Sequence, residues 1–108
     1  MCKIFASIDP ASYASETRSV RLSGHVTSIR LESAFWATLE QVAASQGVTL
    51  GRFLTKLYDE VLELHGDVTN FASLLRCACL VYAEALRPDP QASAELAAAA
   101  SRDFAVVM

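Results

Sequence analysis

The sequence predicts a mainly helical homodimer in which short N-terminal strands pair across a two-fold axis above packed helices. Three observations predict it. Residues 26–32 (VTSIRLE) alternate as one amphipathic strand, and two helical patterns follow at once. Hydrophobic residues make up 53% of the 108-residue sequence and charged residues 19%, more apolar supply than a monomer of this size needs. A lone strand leaves its backbone donors and acceptors unpaired, so it requires a partner. The simplest is the same strand of a second copy, giving an intersubunit antiparallel ribbon.

The elements follow in chain order. Residues 1–17 open with Ile4, Phe5 and Ile8 and pass through Asp9-Pro10, which reads as an arm with turns. Residues 18–22 (RSVRL) suit an additional N-terminal strand, separated from 26–32 by Ser23-Gly24-His25, where glycine can supply a turn. Within the second run Thr27, Ile29 and Leu31 share one face, suited to packing. Val26, Ser28 and Arg30 share the other. No internal repeat stands out.

Ser33 suits the N-cap of a first helix whose Phe35, Leu39, Val42 and Ala43 recur at helical spacing, with Gly47 as its stop. Thr49 can cap a second helix, striped by Leu50, Phe53, Leu54, Leu57, Val61 and Leu64 and ended by Gly66. Asp67, Thr69 and Asn70 are alternative caps for a third helix over about residues 70–86, apolar nearly all round. Such a helix is buried or forms an interface. Pro88 and Pro90 end it, and residues 91–100 suit a loosely held fourth helix. The organisation read from this pattern is an arm (1–17), a domain with its third helix (18–87) and an Ala-rich acidic tail (88–108).

Charge and cysteine usage narrow the function. A net charge of -3 argues against broad attraction to nucleic acid, so any DNA contact must come from a local cluster. Arg18, Arg21 and Arg30 form one, with no acid between Arg18 and Leu31. Three cysteines, Cys2, Cys77 and Cys79, fit neither a disulfide framework nor a metal knuckle, and the default setting is a reducing cytoplasm. No run resembles a signal peptide or a membrane span. His25 and His65 sit in turn-like sequence without catalytic neighbours, and no phosphate loop, nucleophile–base set or metal spacing stands out. Neither an enzyme nor a cofactor or metal is expected.

A two-stranded ribbon fits the major groove, where each base pair shows its own donor and acceptor pattern. Outward Val26, Ser28 and Arg30 then suit base contacts: valine against a thymine methyl, serine to either base class, arginine bidentate to guanine. Amides near Thr49, Leu50 and Gly51, with Arg52 close by, can hold a phosphate at a helix N-terminus. Arg18 and Arg21 are candidates for phosphate contact, or for pairing with acids such as Glu16.

The stretch GHVTSIRLESAFWATLEQVAASQGVTLGRFLTKLYDE resembles the ribbon-helix-helix fold of Arc-type and MetJ-type repressors. It is more closely similar to short proteobacterial ribbon-helix-helix proteins with the pattern carried here by Gly24, His25, Thr27, Ser28, Ile29, Leu31, Glu32, Phe35 and Trp36. Asp9, Pro10, Tyr13, Ser15, Thr17, Arg18, Ser19 and Arg21 extend the likeness towards the N-terminus. The resemblance spans residues 3–86 and implies a dimeric DNA-binding regulator whose Val26, Ser28 and Arg30 read bases. Such dimers can assemble further on adjacent sites. The rival reading is an antitoxin-like module that keeps the dimer scaffold but binds a protein through its third helix or tail.

Overall fold

A computed structural model describes residues 2–86 as five helices and a two-stranded sheet: α1 (Cys2–Ala6), α2 (Pro10–Tyr13), β1 (Ser15–Leu22), β2 (His25–Glu32), α3 (Ser33–Ser45), α4 (Leu50–His65) and α5 (Phe71–Ala85). The expected tail helix over 91–100 lies outside the described residues. Two compact units divide the chain, the first running to Lys56 and the second beginning at Leu57, so α4 belongs to both.

The mainly helical architecture with an antiparallel ribbon ahead of its helices agrees with the expectation. The origin of the ribbon differs. β2 pairs with β1 of its own chain along the full register from Ser15–Glu32 to Leu22–His25, where the expectation paired it with its copy in a second subunit. β1 is eight residues long, begins three residues before the expected start at Arg18, and so matches β2 residue for residue. Ser23 and Gly24 close the pair at φ 48° and 86°. Positive φ at both central positions is the type I′ geometry whose twist suits a two-residue hairpin. Joining strands through so short a loop costs far less entropy than recruiting a second chain.

The arm is also more ordered than expected. Asp9 caps α2 by accepting from the Ala11 N–H at 3.0 Å, with Pro10 in the first helical position, where its missing N–H costs nothing. Ala14 then ties the start of β1 to the start of α3: its carbonyl accepts from the Ser33 N–H at 2.9 Å and from the Ser33 hydroxyl at 3.0 Å. Ser33 is therefore inside α3, and the N-cap position falls to Glu32, whose side chain makes no capping bond. Gly47, at φ 71°, ends α3 as expected, with its own N–H on the Ala44 carbonyl and the Val48 N–H on the Ala43 carbonyl. This is a Schellman stop.

In the first unit the buried side chains are Leu22, Ile29, Leu31, Trp36, Leu39, Ala43, Phe53 and Leu54. β2 delivers Ile29 and Leu31 from alternate positions and α3 delivers Trp36, Leu39 and Ala43 at helical spacing. Full burial of a leucine such as Leu31 is worth about 1.5–3 kcal/mol against leaving it in water. Of the apolar stripes expected on the first two helices, Phe35, Val42, Leu50, Leu57 and Val61 are half-buried and Leu64 is exposed.

In the second unit Tyr58 and Phe71 meet edge to face at 5.5 Å between ring centroids. Asn70, in the left-handed region at φ 52°, caps α5 by accepting from the Ser73 N–H at 3.4 Å. Only Leu75 and Cys79 of α5 are buried, while Cys77, Leu80 and Val81 are exposed. The apolar helix is thus covered on one side within the chain.

Two outcomes test this architecture. A Cβ on Gly24 meets no neighbour within 4 Å, so the cost of Gly24→Ala is the backbone's alone. It is expected to lower stability by ~1–2 kcal/mol in chemical denaturation, the penalty of a left-handed alanine. Burial pushes the Cys79 thiol up to about 11 from an ordinary value of 9.0, so folding favours its protonated form. That stabilisation is complete below about pH 9 and is lost as pH rises towards 11. At pH 8 an alkylating reagent should modify exposed Cys2 and Cys77 well before Cys79, read by mass spectrometry.

Candidate nucleic-acid interface

Directly opposed residues of an antiparallel pair point to the same side, so the register defines the two faces of the hairpin. One face carries the pairs Thr17–Arg30, Ser19–Ser28 and Arg21–Val26. All of these side chains are exposed, Val26 at 61%. The same face continues to Ser15–Glu32, whose half-buried glutamate lies at the junction with α3. Between that junction and the turn the face is free of acids. Among the described residues neither Arg21 nor Arg30 has a carboxylate partner, so both guanidinium groups face solvent.

The opposite face rests on α3. The Trp36 indole N–H donates to the Glu16 carbonyl at 2.8 Å, and the ring is fully buried. Arg18 lies over that ring, 4.8 Å from its centroid, with its Nε on the Glu16 carboxylate and one terminal nitrogen 3.2 Å from Glu40. The hydrogen bond that Arg18 donates to the Glu16 carboxylate leads in raising the Arg18 pKa, with Glu40 adding to it. Arg18 has taken the acid-paired alternative, and the even-numbered parity of β1 turns it away from Arg21.

The helix terminus is built as expected. The Thr49 hydroxyl accepts from the Arg52 N–H at 3.2 Å, which caps α4. First-turn amides such as those of Leu50 and Gly51 have no preceding carbonyl within their helix to bond. Arg52 itself is exposed. Further along α4, the Thr55 hydroxyl donates to the Arg21 carbonyl at 2.8 Å, fastening the end of β1 to this helix. The structure thus brings Val26, Ser28 and Arg30 onto one side with Arg21, and sets Arg18 on the other. Thr17 and Ser19 join the exposed set. Thr17 is lost when β1 is begun at Arg18, and Ser19 lies within the expected strand without being assigned a face; the alternation T-x-S-x-R over 17–21 is the signal that finds both.

Among the described residues no group of three or more His, Cys, Asp or Glu side chains could hold a metal, and no helix is long and apolar enough to cross a membrane.

The model of the ribbon-helix-helix domain matches residues 15–83, from the first residue of β1 into the last turn of α5. A solved structure, that of an uncharacterized protein from Bordetella pertussis Tohama I, is 39% identical and superposes with a TM-score of 0.76 over 82% of this chain and 75% of that one. No curated protein matches. Members of the family are usually DNA-binding regulators or antitoxins, generally without enzymatic activity, and generally bind DNA as dimers. With the domain match covering both strands and the three long helices, the chain belongs to the ribbon-helix-helix family.

Proposed function

We propose that this protein is a sequence-specific DNA-binding regulator of the cytoplasm that inserts the exposed face of its hairpin into the major groove. The observation that carries the reading is the acid-free stretch of that face, with Arg21 and Arg30 lacking a carboxylate partner among the described residues, in a chain of net charge -3. Two strands about 4.8 Å apart enter a groove about 12 Å wide with room for side chains on both flanks. Arg30 pairs with guanine, Ser28 bonds a base edge, and Val26 packs on a thymine methyl. The Leu50 and Gly51 amides at the Thr49-capped start of α4, with Arg52, hold a backbone phosphate. Such a contact sets position and carries no sequence information. Arg18, committed to Trp36 and two carboxylates, supports the ribbon from behind.

The protein acts as a dimer in this reading, each subunit presenting one hairpin to a half-site, so that the bound site is an inverted repeat. Support comes from the exposed Leu80 and Val81 of α5 and from Ile4 and Phe5 of α1, apolar side chains the chain leaves in water. The same α5 face supports the second reading, a module that binds a protein partner. Sedimentation at micromolar concentration is expected to give twice the 11.7 kDa chain mass. A folded species at the single-chain mass would remove the dimer from the proposal.

Selection of bound fragments from random DNA, with the purified protein at fixed salt, tests the central claim. An enriched motif is expected, with affinity falling as salt rises because a few cations displace counterions. Arg30→Ala is expected to weaken binding by about ten- to a hundredfold, the value of one bidentate base contact, with helix content unchanged. A selection that enriches nothing would sink DNA reading and leave the protein-partner module.

A further inference from the structure

Reading with β2 alone leaves half of the exposed face unused. An antiparallel pair has a local two-fold axis perpendicular to its plane, and here one passes through the Ser19–Ser28 pair. That axis carries each residue of β1 from Glu16 to Leu22 onto the residue nine positions later in β2. Ser19 maps onto Ser28, Arg21 onto Arg30 and Thr17 onto Val26. The last pair is nearly isosteric: threonine and valine share a β-branched shape and each offers a methyl group. On the exposed face the two strands therefore repeat one another, in type and in position.

The packing side follows the same symmetry only where the core demands it. There the operation carries Val20 onto Ile29 and Leu22 onto Leu31, apolar onto apolar, but it sends Arg18 onto Thr27 and Glu16 onto His25. Burial accounts for the two matches. Nothing in the packing accounts for the three on the solvent side, whose side chains touch no core. That repetition fits the symmetry of the major groove, whose two strands are related by dyads perpendicular to the helix axis.

We propose that one hairpin is a self-contained, pseudo-two-fold reading element, in which Thr17, Ser19 and Arg21 of β1 contact bases as the counterparts of Val26, Ser28 and Arg30 of β2. This rests on the DNA-binding reading above and reassigns Arg21 from a phosphate to a base. Arg21 and Arg30 stand on opposite strands, four residues apart along the ribbon, which is ~13 Å at the usual strand rise. With a base step of about 3.4 Å, the two guanidinium groups reach guanines on opposite DNA strands roughly three to five base pairs apart. One subunit alone then recognises a short sequence that reads as an imperfect palindrome. The exposed side chain of Arg21 is free to do this because its strand is held by the backbone, through the Thr55 hydroxyl on the Arg21 carbonyl.

Selections run in parallel on the wild type, Arg21→Ala and Arg30→Ala test the assignment, with circular dichroism and Trp36 fluorescence confirming the fold of each variant. The wild type is expected to enrich a motif holding a G and a C, that is, one guanine on each strand, separated by roughly three to five base pairs. Arg21→Ala should erase one of these two positions and Arg30→Ala the other, each with about a ten- to hundredfold loss of affinity. If Arg21→Ala binds more weakly but keeps the complete motif, with a shallower salt dependence, Arg21 touches phosphate and the proposal fails. Unchanged affinity and motif for Arg21→Ala would also overturn it. A wild type that enriches no motif instead removes the DNA-binding reading itself, an outcome visible before either variant is compared. If Arg21→Ala disturbs the fold, Arg21→Gln, which keeps the chain's stem without its charge, is read against the same outcomes.

Discussion

Pairing of β1 with β2 through the Ser23-Gly24 turn is the constraint on which the other features depend. Once the turn fixes Leu22 opposite His25, every later pair is set, and with it the side on which each residue emerges. The buried side of the ribbon supplies Leu22, Ile29 and Leu31 to the core, and the same alternation leaves Arg21, Ser28 and Arg30 in solvent. Core and candidate binding face are therefore two products of one register. Neither can be altered by a shift along the strand without exchanging it for the other.

The two arginines of β1 show how strand parity decides chemistry. Arg18 and Arg21 are three positions apart, so they emerge on opposite sides. Arg18 meets the face of Trp36, Glu16 and Glu40, an arrangement that holds the guanidinium over the indole. With about a third of its side chain still in water, the cluster contributes modestly to stability. The same strand parity sets Glu16, the nearest acid on the strand, on the side away from Arg21 and Arg30, where the cluster engages it. The exposed face keeps its positive character because the acid is occupied elsewhere.

Much of this is legible in the residues. The alternation through Thr27, Ile29 and Leu31 announces which side of β2 is buried, and Gly47 and Gly66 mark the ends of α3 and α4, where both adopt positive φ. Thr49 and Asn70 are readable as caps because their short oxygen-bearing side chains reach first-turn amides. What escapes has non-local causes. Ser33 looks like a cap in isolation, but its hydroxyl is drawn to the Ala14 carbonyl, a contact across nineteen positions of sequence. Trp36 falls outside the expected helical stripe, yet it is the buried centre against which β1 lies, through a bond to the Glu16 backbone that no periodicity encodes. Residues 18–22 are legible as a strand next to a glycine turn, but Ser15-Glu16-Thr17 carry no hydrophobic signal, so the run looks too short to match β2 and its full pairing within the chain goes unread.

The two-residue turn also limits how the gene for such a protein can drift in length. Losing or gaining one codon between Arg18 and Arg21 would rotate the part of β1 on the N-terminal side of the change by half a turn, carrying Arg18 into solvent while the hairpin turn keeps Arg21 in place. A change of two codons would preserve the sides while sliding one strand past the other. Length in this segment is thereby held to even steps.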